Sequence, residues 1–132
     1  MAGCLNKTML IGSLDADPEG RTMQSGGRVV TFTLATAESW KDKETGERQE
    51  RVQRHRIAVY NEALGKFAEK RLKKGSRVYV EGQLESRVWR DEKGREQHLT
   101  EVALRPYRSE LTLLDAAPGE QGAADGRGDL AA

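Results

Sequence analysis

Between residues 61 and 74 this chain keeps a helical rhythm, and almost everywhere else it keeps a strand rhythm. Leu64, Phe67, Ala68 and Leu72 recur at spacings of three and four, giving one apolar stripe. Asn61 is placed to cap the start of that helix. Lys73 and Lys74 suit its negative end, and Gly75 can stop it. Three period-two segments precede it, at 6–14, 28–37 and 52–60, and two follow, at 77–90 and 98–114. Val30, Phe32 and Leu34 share one face of the second segment. Val78, Val80, Leu84 and Val88 are expected to face the core from the fourth, and Val102 and Leu104 from the fifth. Turns are expected at Asp15–Gly20, Ser25–Gly27, Thr45–Glu47 and Asp91–Gly94. Pro106 interrupts the last segment and sends its end to an edge or a bulge.

The order strand, strand, strand, helix, strand, strand leaves few ways to close a core. With 132 residues, 33% charged and 36% hydrophobic, that core must be small. A five-stranded Greek-key barrel with one helix between strands 3 and 4 satisfies both limits. This is the OB-fold, an all-β architecture that serves as a platform for oligonucleotides. The domain is expected to span 1–114. The Ala- and Gly-rich stretch 115–132 is expected to be a disordered tail. Arg127 stands there against Asp115, Glu120, Asp125 and Asp129, so the tail carries −3 and the body +4 of a net +1. Cys4 is the single cysteine, which excludes an intrachain disulfide. With no signal-like or membrane-spanning apolar stretch, the expectation is a soluble cytoplasmic protein.

The hairpin at 37–60 carries the functional signal. Trp40 stands just outside an apolar run, between Ser39 and Lys41. On the returning strand, Arg54 and Arg56 share a face with Tyr60, while His55 faces the packing side. Trp89 lies at the edge of a second charged hairpin, beside Arg87 and Arg90. Aromatics interleaved with cations suit a polyanion with flat, stackable faces, which is single-stranded nucleic acid. The remaining charges of the 41–51 tip alternate in sign and read as solvated. His55 and Tyr79 are assigned to packing or to a subunit interface. No nucleophile motif, phosphate-binding glycine loop or metal-ligand spacing appears, so neither catalysis, cofactor nor metal is expected. From the residues alone, an RNA-binding OB module and a non-binding assembly barrel stay open beside a DNA-binding one.

The wording of several segments is more specific. Asn6-Lys7, Ile11-Gly12-Ser13-Leu14, Asp17-Pro18-Glu19, Leu34-Ala35-Thr36, Glu38-Ser39-Trp40, Thr45-Gly46-Glu47, His55-Arg56, Leu72–Ser76 and Val78–Leu84 occur in the order and spacing of bacterial single-stranded DNA-binding proteins. Residues 5–114 resemble that family. The resemblance implies a homotetramer of OB-folds that coats single-stranded DNA in replication, recombination and repair. It implies base stacking by Trp40, Trp89 and Tyr60, and phosphate contacts from Lys7, Arg21, Lys43 and Arg56. In the family a tryptophan usually precedes the His-Arg pair; here that position is Arg54, which exchanges a stacking platform for a cation. Greater salt sensitivity and weaker stacking than in a typical member are expected. Family tails often end in an acidic run and Pro-Phe, whereas this one ends Gly-Asp-Leu-Ala-Ala. Recruitment of replication or repair enzymes through the tail is therefore not expected.

Overall fold

The computed structural model describes residues 3–114; the tail expected at 115–132 lies outside the described residues. The strands are β1 (Thr8–Leu14), β2 (Glu19–Thr22), β3 (Arg28–Lys41), β4 (Arg48–Val59), β5 (Arg77–Arg90), β6 (Glu96–Leu104) and β7 (Glu110–Leu113). The helix α1 (Glu62–Arg71) stands between β4 and β5. Five of the strands close a ring, β1-β3-β4-β6-β5 and back to β1, with β2 added to β3 and β7 to β5. The β4–β6 pair is parallel, Ile57–Val59 beside Val102–Leu104, and the others are antiparallel. This is the expected OB-fold barrel.

Alternation builds the core. Val30 and Leu34 of β3, Ile57 and Val59 of β4, Val78 and Val80 of β5 and Leu104 of β6 are all essentially excluded from solvent. Ala68 and Leu72 plug one end, with Leu64 and Phe67 packed beside them. Asn61 caps α1 as expected, its side-chain oxygen accepting from the Leu64 amide at 3.2 Å. The helix stops at Arg71, earlier than its predicted end. Leu72 is already extended, and Lys73–Ser76 turn back with Gly75 at φ +90°. Two glycines let strands cross at close range. A Cβ on Gly12 would fall inside the carbonyl oxygen of Ala35, and one on Gly82 would lie 2.6 Å from that of Ala103.

Three further sequence expectations need correcting. The turn predicted at 15–20 gives way at Glu19 to β2, which pairs with Arg28–Thr31 of β3. All four β2 residues are exposed, so no apolar alternation marked it. The hairpin strands are also longer than predicted, since β3 runs on to Lys41 and β4 starts at Arg48. Finally, Leu84 and Val88 are 51% and 55% exposed, although they share the parity of Val78 and Val80. The β5–β6 hairpin pairs out to Arg90 and Glu96, past the end of the closed barrel. Two long arms, β3–β4 and β5–β6, thus project from a compact core.

Candidate nucleic-acid interface

The outward face of the barrel gathers cations around one buried carboxylate. Arg56 leaves β4 with the parity opposite to Ile57. Tyr60 follows β4 directly, and its amide is held by the Leu104 carbonyl at 2.9 Å. Between them lies Glu101 of β6, whose side chain is only 2% exposed. It accepts a hydrogen bond from the Tyr60 hydroxyl at 2.8 Å and one from Arg56 Nε at 3.3 Å, with Arg87 of β5 at 3.7 Å. Two charge-assisted hydrogen bonds and the nearby Arg87 charge offset the cost of burying that carboxylate. Burial and the bond to Glu101 push the Tyr60 hydroxyl above its ordinary pKa.

Arg105, just after β6, extends the cluster. Its guanidinium lies 4.0 Å over the Tyr60 ring and grips both oxygens of Glu85, at 2.9 and 2.6 Å. Those bonds hold the Glu85 carboxyl down at about 2. In front of Tyr60, Arg21 of β2 joins Arg56 and Arg87 around a groove of about 130 Å³. The short strand that alternation could not reveal is what delivers Arg21 there.

The remaining site residues fall outside this groove. Arg54 shares the parity of Arg56, but its Nε turns to Asp15 at 3.1 Å. Trp40 continues the Val30-Phe32-Leu34 parity onto the free arm, 41% exposed, with Arg51 5.3 Å over its ring. Lys43 is exposed at the tip of the same arm. Trp89, 52% exposed, shares the parity of Arg87 on the other arm. Lys7 lies apart, bound to Glu81 at 3.1 Å, in a wider groove of about 710 Å³ beside Gln83, Tyr107 and Arg108. The sequence-predicted residues therefore form one groove, two arm platforms and a second groove.

His55 is half-buried on the core-side face, opposite Leu34, with its ring nitrogen 2.9 Å from the Thr36 hydroxyl. The Tyr79 hydroxyl donates to Glu81 at 2.6 Å, and that bond, with some burial, pushes its pKa up to about 12. Sequence reasoning assigned no role to Arg87, Glu101 or Arg105. Arg87 was legible, two residues from Trp89 on one strand face. Glu101 had no signal, because its partners are 41 and 45 residues away in sequence. Among the described residues no group of three His, Cys, Asp or Glu side chains could hold a metal. Among the same residues, no helix is long and apolar enough to cross a membrane.

Stacking surfaces beside guanidinium groups can hold a flexible polyanion through its bases and its phosphates together. Residues 5–110 match the model of the single-strand binding protein family. The chain is 46% identical to the single-stranded DNA-binding protein of Rhizobium meliloti (strain 1021) over 124 residues, which is 94% of this chain and 71% of that protein. It is 46% identical to the single-stranded DNA-binding protein of Rickettsia conorii over 116 residues, 88% of this chain and 76% of that one. Among solved structures, it resembles one described as Plasmodium falciparum SSB in complex with ssDNA. The TM-score is 0.77 and the identity 37%, over 87% of this chain and 99% of the other.

Proposed function

The chain belongs to the single-strand binding protein family, and on that premise we infer that it binds and protects single-stranded DNA without marked sequence specificity. Its work lies in replication, recombination and repair, and it is a non-catalytic coat rather than an enzyme. The observation that carries this reading is the juxtaposition of Arg21, Arg56 and Arg87 around Tyr60, beneath arms bearing exposed Trp40 and Trp89. Every base has a π-face, so stacking tolerates sequence, while guanidinium groups follow the backbone. In this reading Trp40, Trp89 and Tyr60 stack on bases, and Lys7, Arg21, Lys43, Arg54 and Arg56 contact phosphates. Arg87, on the evidence of its place in the groove, joins the phosphate contacts.

The domain is residues 1–114, and 115–132 is its tail. We assign it to the cytoplasm and to a homotetramer, with His55 and Tyr79 serving packing or subunit contact. Two features support assembly. Met9 and Ile11 of β1 are 62% and 50% exposed, and Leu84 and Val88 of β5 are exposed on the opposite parity. Moreover, β1 meets β3 only at Ser13 and Leu14, leaving one strand edge open over Thr8–Gly12.

The test is titration of the full chain with oligo-dT, followed by tryptophan fluorescence over a range of salt, with mass measured in parallel. Trp40→Ala and Trp89→Ala should each weaken binding by about 1–3 kcal/mol, to all sequences alike. Parent-like affinity in both variants would refute the stacking role. Competition with a matched RNA oligomer decides the polymer, because preference for RNA would require recognition of the 2′-hydroxyl.

A further inference from the structure

The loop between β6 and β7 is longer than the barrel requires and is held in an unusual shape. Ala103 pairs with Gln83 and Glu110 with Glu81, so β5 advances by two residues while the chain spends residues 104–109 between those pairs. That surplus displays Tyr107, whose side chain is completely exposed at 102%. Tyr107 also has φ +68°, the only positive φ at a non-glycine among the described residues. A bulky residue in the left-handed region costs about 1–3 kcal/mol and persists only where its surroundings impose it.

The surroundings here do impose it. Arg105 is clamped between Glu85 and the Tyr60 ring. The Ser109 hydroxyl donates to the Arg105 carbonyl at 2.7 Å, and the Arg108 amide donates to the same oxygen at 3.3 Å. Pro106 fixes its own φ. One end of the loop therefore touches the aromatic of the first groove. The other end, Tyr107 and Arg108, lines the second groove beside Lys7. Tyr107 lies two positions after Arg105, a reach of about 7 Å at most.

We propose that this loop is a further single-stranded nucleic-acid subsite, in which Tyr107 stacks on a base and Arg108 holds an adjoining phosphate. It carries the strand from the Tyr60 groove across the barrel to Lys7. The proposal rests on the single-stranded DNA-binding reading above. A solvent-exposed ring flanked by Arg105 and Arg108 has the composition of a stacking platform, and the backbone that presents it is already ordered before the ligand arrives.

Tyr107→Gly tests it, because glycine accepts the left-handed backbone without strain and the fold is retained. Tyr107→Phe keeps the ring. With oligo-dT longer than about 16 nucleotides, the upper end of what one such barrel covers, Tyr107→Gly should bind about fivefold or more weakly. Tyr107→Phe should stay within about twofold of the parent, and the mass of both variants should be unchanged. Parent-like binding by Tyr107→Gly would overturn the proposal. So would a weaker affinity accompanied by a smaller mass, which would assign Tyr107 to contact between copies of the chain. Trp40→Ala, titrated alongside, separates the two levels. If it weakens binding and Tyr107→Gly does not, the loop proposal alone fails; if the parent does not bind, both fail.

Discussion

Replacing Glu101 by glutamine probes what the buried carboxylate does to the cations around it. A phosphate on the outward nitrogens of Arg56 would sit about 7 Å from Glu101, allowing for the guanidinium width and a charge-assisted bond. Repulsion at that separation is about 0.6 kcal/mol at the dielectric constant of water and about 2.4 kcal/mol at an effective value of 20. Arg56 and Arg87 are 31% and 53% exposed, so the screened part of that range governs. Glu101→Gln should therefore bind oligo-dT about three- to tenfold tighter at low salt. It should also unfold more easily, because neutral hydrogen bonds replace charge-assisted ones to Tyr60 and Arg56, a loss of about 1–2 kcal/mol. The assay pairs a fluorescence titration with thermal unfolding of the same preparation. Unchanged or weaker binding by a folded variant would refute the reasoning. Glu101 would then be organising Arg56 and Tyr60 for the ligand rather than opposing it.

Two further outcomes concern stability. Gly12→Ala forces a methyl group into the Ala35 carbonyl where β1 crosses β3, a backbone collision that no rotamer relieves. A loss of about 3 kcal/mol or more is expected in urea unfolding, and an unchanged midpoint would contradict the crossing. Glu85→Gln removes a carboxyl that Arg105 holds at about 2 against an ordinary 4.5. A depressed carboxylate stabilises the fold above its unfolded pKa and ceases to do so as pH falls through the folded one. The parent should thus exceed the variant by about 1 kcal/mol near neutrality, since the pair is partly exposed. That margin should close between pH 4.5 and about 2, and a constant margin across this window would rule the linkage out.

The barrel was legible because each of its strands has one buried face, and period two reports which residues lie on it. Val30, Phe32 and Leu34 illustrate this on β3, as do Ile57 and Val59 on β4. Parity does not report where burial stops. Leu84 and Val88 keep the inward parity of Val80 yet stand on an arm with solvent beside them. Nor does it find β2, which pairs along β3 and buries no side chain. The site divides the same way. Parity placed Arg54, Arg56 and Tyr60 on one face, but their partners depend on long-range contacts. Asp15, 39 residues away, draws Arg54 aside, while Glu101 anchors the other two. An isolated glutamate in a strand reads as solvated, so the anchor of the groove was invisible until the fold brought its donors together.

Those partners also bear on how the protein lets go of its ligand. Lys7 is paired with Glu81, Arg54 with Asp15, Arg56 and Arg87 with Glu101, and Arg51 with Glu38. A phosphate that engages one of these cations competes with a carboxylate already in place, so the gain is the difference between two similar contacts. The net charge of only +1 points the same way, giving little long-range attraction to be overcome on release. In the proposed reading, stacking on Trp40, Trp89 and Tyr60 then supplies the larger share of affinity, which should vary little with sequence. This also modifies the expectation drawn from Arg54. A cation in the place of a tryptophan should raise salt sensitivity, yet its Asp15 partner shields that charge, so the lost aromatic surface matters more than the added charge.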